Sequence, residues 1–176
     1  MATITFKKGD EYLMKLSKLS NATIHEECGP AIYDAAGLVA NRIMSEFRKV
    51  PTDERFGTEG TPAIGPKKIQ KKALYDCYGI TKMEEDANGF LNVKIGFDGY
   101  SGIKTKKWPN GQPNQLIARA IESGTTYMLK HPFVKNGVSA SKKKALEIMK
   151  KRVDDNIEKI MKKWGIICLK KQNLIL

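Results

Sequence analysis

His25 and Cys28, three residues apart, are the first pair in this chain with the spacing of metal ligands. Cys77 and His131 are the other donors such a site would draw on, and Cys168 is the remaining thiol. A structural zinc site takes four ligands in recognisable short-spaced pairs. Only one pair exists here, and Cys28 falls on the apolar stripe of a helix, so the sequence predicts packing and no metal. Nucleophilic catalysis fares the same way: each cysteine fits an apolar pattern, and neither histidine has an activating arrangement around it. Glu84-Glu85-Asp86 gathers three carboxylates, but in a hairpin turn where simple solvation accounts for them. The runs Gly57-Thr58-Glu59-Gly60 and Gly96-Phe97-Asp98-Gly99 lack both the spacing and the lysine of a phosphate-binding loop. No catalytic residue and no cofactor follows from these residues, and the chain is expected not to be an enzyme.

What remains is charge. Lysine and arginine number 31 against 19 aspartates and glutamates, a net charge of +12. A surface this basic attracts polyanions, whether nucleic acid, an anionic membrane or an acidic protein. Lys142, Lys143 and Lys144, then Lys150, Lys151 and Arg152, then Lys162 and Lys163 recur along one helix. The first six are the candidates for facing DNA phosphates. Glu147, Asp154, Asp155 and Glu158 lie among them, as on an ordinary solvated helix face. Tyr100 and Trp108 beside Lys104, Lys106 and Lys107 form a second basic and aromatic group of the kind that binds nucleic acid, in what also reads as a loop beside a hairpin. Lysine is spread over several elements, and no single element presents base-reading side chains. The charge therefore fits sequence-independent contact or solubility.

The elements that must carry these residues fit one α+β domain over 1–176, long enough to bury roughly 70% of its unfolded surface. Ile4 and Phe6 alternate with polar residues and predict a first strand ending at Gly9. Asp10 is placed to cap a helix bearing Tyr12, Leu13, Leu16 and Leu19. Thr23 and Glu26 have capping-box spacing, and Ile24, Cys28, Ile32, Ala35, Val39, Ile43 and Phe47 then give one apolar face. Gly29-Pro30 predicts either a kink or a start at Pro30. Residues 51–66 and 98–113 read as long loops. Ile80 to Met83 and Phe90 to Phe97 predict a hairpin around Asn88-Gly89, with Leu91, Val93, Ile95 and Phe97 on one side. A last helix is expected from Ser139 or Ser141 to Trp164, with Leu146, Met149, Val153, Ile157 and Ile160 inward, Gly165 as its cap, and a strand or tail over 165–176. The two long helices should pack on a small, mainly antiparallel sheet. No apolar run approaches the roughly 20 residues that span a bilayer. The charges follow the first apolar residues, the reverse of a signal peptide. A chain made in the cytoplasm, not secreted, with no membrane partner and with reduced thiols is expected.

One stretch combines several signals. Ala118-Arg119-Ala120-Ile121-Glu122-Ser123-Gly124-Thr125 reads as a short helix closed by a left-handed glycine cap. Pro132 and Phe133 follow, then the long helix. The combination resembles the small tail-component family of long-tailed bacteriophages, the tail-completion proteins of the neck. That family carries an Ala-x-x-[Val/Ile]-Glu-x-Gly-Thr run, then Pro-Phe, then a C-terminal helix. The matching residues are Ala118, Ile121, Glu122, Gly124 and Thr125, then Pro132 and Phe133. The family's Pro-x-Asp-Thr-Gly segment is met only loosely, by Pro51-Thr52-Asp53 and a displaced Gly57-Thr58, as an insertion would leave it. Overall the likeness spans roughly 4–161. It implies an α+β virion protein that forms a homo-oligomeric ring, six-fold in preference to twelve-fold, joining the tail to the DNA-filled head. Its partners would be a head-side connector or stopper, a tail terminator or tail tube protein, and the passing double-stranded DNA. Glu122, Gly124, Thr125, Pro132 and Phe133 become candidates for subunit contacts, with Glu122 expected to meet a backbone amide or a lysine across a subunit boundary. A tail terminator of the same neck region and a sequence-independent nucleic-acid-binding protein are the alternatives.

Overall fold

Small residues decide how the two long helices meet. The structure is a computed structural model that describes residues 2–3 and 21–172, with side chains over 28–159. Helix α1 (Asn21–Arg48) buries Ala31, Ala35, Ala36, Val39, Ala40, Ile43 and Phe47 at three- and four-residue spacing, which is one continuous face. Pro30 stands inside the helix, exposed, and the helix neither starts nor stops there. Thr23 lies two residues inside the helix; its side chain and those of Ile24, His25 and Glu26 lie outside the described residues. The expected first strand beyond Thr3 and the Asp10-capped helix with Tyr12, Leu13, Leu16 and Leu19 also lie outside them. At the other end of α1, the ammonium of Lys71 donates to the carbonyls of Arg48, at 3.1 Å, and Val50. A cation on the last carbonyls satisfies orphan acceptors and the helix dipole together. Burial pushes the Lys71 pKa down.

The C-terminal helix differs from its sequence expectation at both ends. It runs from Phe133 to Gln172 (α4), about 60 Å at 1.5 Å per residue. Its first turn begins directly after Pro132, so it is longer than a start at Ser139 or Ser141 predicts. Gly165 is no cap, and residues 166–169 are helical, not a strand. Gly165 costs the helix about 1 kcal/mol relative to alanine, less than is needed to break it. The buried stripe of α4 is Gly137, Ser141, Ala145 and Met149, one step per turn, followed by Asn156. Leu146, expected in the core, is 37% exposed, and Val153 and Ile157 are only half-buried. Ile160 and Trp164 have side chains outside the described residues. Gly137 lies so close to α1 that a Cβ there would stand 2.6 Å from Cα of Ile43. The buried hydroxyl of Ser141 donates to the carbonyl of Gly137 at 2.6 Å, so this polar residue is satisfied within its own helix.

The sheet is antiparallel throughout. Strand β5 (Lys94–Phe97) lies centrally between β1 (Ala2–Thr3) and β2 (Tyr78–Ile80), with Ala2 and Ile80 both opposite Ile95. A two-stranded ribbon, β3 (Glu84–Glu85) with β4 (Leu91–Asn92), extends the same hairpin. Its turn closes on Asp86, whose Oδ1 accepts from the amides of Asn88 and Phe90 at 2.9 Å. Only Gly89 takes a positive φ, 79°, while Asn88 does not, giving a three-residue connection in place of a two-residue one. Val93, Ile95 and Phe97 are buried as the alternation predicts, and Leu91 is half-buried. Helix α2 (Lys68–Asp76) precedes the sheet and buries Leu74. The layers meet at an aromatic junction: the Phe47 ring lies 4.9 Å from Phe133, 5.1 Å from Tyr75 and 5.9 Å from Phe97. The Tyr78 ring packs at a tilt against Phe97, 4.9 Å between centroids, and its hydroxyl donates to the Ala40 carbonyl at 3.0 Å. Burial pushes that phenol above its ordinary pKa. The protein is an α+β domain with a small antiparallel sheet packed against its helices.

Two helix glycines give a test with opposite signs. Gly37 has nothing within 4 Å of an added Cβ, so Gly37→Ala is expected to stabilise by up to about 1 kcal/mol. Gly137→Ala must push α1 and α4 apart and is expected to destabilise by about 1–3 kcal/mol. Urea midpoints of the two variants check this, and a stabilised Gly137→Ala would mean the helices are not in close contact.

Candidate functional site

The 118–125 stretch forms the end of helix α3 (Asn114–Ser123), which buries Asn114, Ile117, Ala118 and Ile121. The buried amide of Asn114 donates to the Asp98 carbonyl at 2.7 Å and fixes the helix start to the end of β5. Gly124 ends the helix with φ 73° and ψ 166°, a region open essentially only to glycine, in place of the expected left-handed cap. Its amide still donates to the Ala120 carbonyl at 2.9 Å.

Glu122 then does what no local pattern announces. Its carboxylate accepts from the amides of Val134 at 2.8 Å and Lys135 at 3.0 Å, in the first turn of α4. A carboxylate on two orphan amides at a helix N-terminus is favoured by hydrogen bonding and by the helix dipole. The backbone partner expected for Glu122 thus lies within its own chain. The His131 amide donates to the Ile121 carbonyl at 2.7 Å and closes the same loop. Phe133 is 2% exposed, so its ring serves the chain's own core and is not offered to a neighbour. Gly124 and Pro132 are half-buried, and of the five candidates for subunit contacts Thr125 is the exposed one.

Between these pins, residues 124–131 are stitched to the 51–66 segment. Ala63 donates to the Tyr127 carbonyl and accepts from the Leu129 amide, both at 2.9 Å, forming a parallel bridge with Met128. Nε2 of His131 meets the Ile64 carbonyl at 2.6 Å. Because a carbonyl only accepts, that nitrogen carries the proton. Residues 51–66 are therefore fastened despite having no apolar period. Asp53, 8% exposed, holds them: its carboxylate accepts from the Arg55 amide at 3.0 Å, from Nε and Nη2 of Arg55 at 3.1 and 2.8 Å, and from the Ile64 amide at 3.1 Å. The Arg55 guanidinium first, then the two amides, hold the Asp53 carboxyl well below the usual carboxylate range, against the opposing effect of burial.

Alternation about the Ala63–Met128 bridge sorts the neighbouring side chains. Ala63 faces inward, and Met128 packs against the core. Ile64, Tyr127 and Leu129 face outward at 43%, 60% and 44% exposure. Phe56, 81% exposed, lies beneath the Lys67 ammonium, 3.3 Å from the ring centroid. Four large apolar side chains on two joined loops make a surface suited to protein contact.

Cys28 and Cys77 are half-buried, and the side chains of His25 and Cys168 lie outside the described residues. Among the described residues no group of three or more His, Cys, Asp or Glu is placed to hold a metal ion, and no helix is long and apolar enough to cross a membrane. Lys142, Lys143, Lys144, Lys150 and Lys151 are exposed on α4, with Glu147 and Asp155 exposed among them. Arg152 pairs with Asp34 of α1 at 3.1 Å. Glu84 pairs with Lys94 at 2.7 Å, while Asp86 holds the hairpin turn. No family model, curated protein or solved structure matches the chain.

Sequence reasoning quoted Asp53 only within a loose motif match and not as the residue that holds the loop, and it missed Ala63. Asp53 had a usable signal, an aspartate two residues before the amide it accepts from. Ala63 had none, because its partners are remote in sequence.

Two measurements probe this arrangement. Glu122→Ala is expected to destabilise the fold by about 1–2 kcal/mol, the cost of losing a helix cap, and Glu122→Gln by less, since it keeps an acceptor oxygen. Equal denaturation midpoints for wild type and Glu122→Ala would refute the cap. For Asp53 the sign follows from its depressed pKa. Its stabilisation is full above the ordinary aspartate value of about 3.9 and is lost as pH falls below it. The melting-temperature gap between wild type and Asp53→Asn should therefore be widest near neutral pH and shrink below about pH 4. A gap independent of pH would assign the effect to shape and not to charge.

Proposed function

We propose that this protein is a virion structural component of a tailed phage, forming a ring in the neck that completes the tail and joins it to the DNA-filled head. The observation that carries the reading is the union of 51–66 with 124–131 into one fastened, apolar-faced surface. Those are the segments in which the family-like residues Asp53, Gly124 and Thr125 occur. Head-to-tail contacts between different surfaces of identical subunits are what close a ring. Such contacts favour aromatic anchors of the type supplied by Phe56 and Tyr127. The resemblance over Ala118–Thr125, Pro132 and Phe133 supports the place in the particle, with a head-side connector and a tail protein as partners. A tail terminator at the same junction is the runner-up.

Deleting residues from 51–66 is a poor test, because Asp53 and Ala63 tie the segment to the rest of the fold. Tyr127→Ser combined with Leu129→Ser changes only exposed side chains. The isolated variant should keep its melting temperature to within the small effect of surface substitutions. Phage dependent on the variant should accumulate filled heads and separate tails, with infectious yield down by orders of magnitude. Full infectivity in the complete absence of the protein would sink the neck assignment.

A further inference from the structure

The loop expected over 98–113 is a folded flap. Ser101 donates to the Gln112 carbonyl at 2.8 Å and Gln112 to the Ile103 carbonyl at 3.2 Å. Thr105 and Trp108 exchange both amide hydrogen bonds, at 3.1 and 3.0 Å, so Lys106 and Lys107 alone form the tip. The Thr105 hydroxyl also accepts from the Trp108 amide at 3.1 Å, fixing the turn a second time. Lys107 lies over the Trp108 ring, 5.7 Å from its centroid. The base is anchored by Asn114 and by the Gln70–Gln112 side-chain hydrogen bond at 3.3 Å, which sets the flap beside α2. An added Cβ on Gly102 would meet Ile69 of that helix at 3.0 Å, so flap and helix are in contact.

Charge is distributed unevenly around it. Between Asp98 and Glu122 the sequence holds Lys104, Lys106, Lys107 and Arg119 and no acid. The three flap lysines are exposed, as are Lys68 and Lys72 on the adjoining helix and Tyr100 on the flap's lower edge. The acids that bracket the flap in the chain are Asp98, at its base, where the Asp98 amide donates to the Cys77 carbonyl, and Glu122, which caps α4. At the adjoining helix, Glu54 accepts from the Lys68 amide at 3.0 Å. On α4, by contrast, acids three and four residues from the lysines offset the field. A duplex offers one negative charge per about 1.7 Å of its axis. A fastened flap with three exposed ammonium groups, Lys106 and Lys107 at its tip and Lys104 just below, is suited to that array.

We infer that the 101–112 flap, and not the basic face of α4, is the surface with which this protein contacts the phosphate backbone of double-stranded DNA without regard to sequence. Its place in the particle rests on the proposed neck function, while the contact itself is a property of the single chain. Each neutralised phosphate contributes about 0.9 to the slope of log affinity against log salt. Fluorescence anisotropy with a random-sequence duplex at rising salt is the test. The Lys104→Ala, Lys106→Ala, Lys107→Ala triple variant should lose tenfold or more in affinity at low salt, and its slope should fall by about 2–3. The Lys142→Ala, Lys143→Ala, Lys144→Ala triple removes the same charge and should change the slope by less than about one. All six side chains are exposed, so melting temperatures check that both variants fold. Equal losses in the two variants, or no duplex binding by wild type, would overturn the inference. So would a flap variant that keeps duplex affinity while losing capture of polyglutamate, which would point to an acidic protein partner. A flap variant that loses DNA affinity yet comes from a phage with no neck phenotype would leave the contact standing and remove the neck reading.

Discussion

The approach of α4 to α1 at Gly137 sets the position of nearly everything else. With no Cβ at that point, the helices come close enough to seal Ala31, Ala35 and Ala36 on one side and Ser141 and Ala145 on the other. One turn before the contact, Phe133 enters the space between Phe47 and Phe97 and joins both helices to the sheet. The same placement brings the first turn of α4 to the end of α3, within reach of Glu122. A bulkier residue at the crossing would disturb the aromatic junction and the cap together, because interiors packed at this density have little room to adjust.

Where a signal is local, the sequence carried it. The alternation of Val93, Ile95 and Phe97 placed the inner face of the central strand correctly, and the three-four spacing of Ala35, Val39, Ile43 and Phe47 placed the inner face of α1. Gly89 marked the hairpin. The failures share a physical cause. A search for large apolar residues selected Met149 correctly but also Leu146, whereas up to Met149 the face of α4 against α1 is a stripe of small residues, Gly137, Ser141 and Ala145, whose value lies in close approach. The start of α4 was hidden because its cap comes from Glu122, on a different helix. Residues 51–66 form a loop as expected, but its fastening was hidden because Ala63, Asp53 and His131 make bonds that no window of neighbouring residues reveals. At the candidate surface, the motif residues were legible as a group, but which of them turn inward was not.

The charged residues divide by what they hold. Asp53 with Arg55 organises a loop, and Lys71 closes the end of α1. Glu46 with Arg42 and Lys49, Asp34 with Arg152, and Glu84 with Lys94 are pairs with at least one exposed partner, each worth little to stability. The net charge of +12 is therefore mainly a property of the outer surface, where it governs association and its dependence on salt.

The segment carrying Tyr127 is tied at both ends, by Gly124 to α3 and by His131 and Glu122 to the start of α4, and is bridged in the middle to Ala63. Its backbone has already given up its conformational freedom on folding. A partner docking there would not have to supply the ordering entropy that a loose loop demands, about 1–2 kcal/mol for each backbone residue fixed. Contact area modest for a stable complex can then still bind usefully, since more of its gross energy survives as affinity.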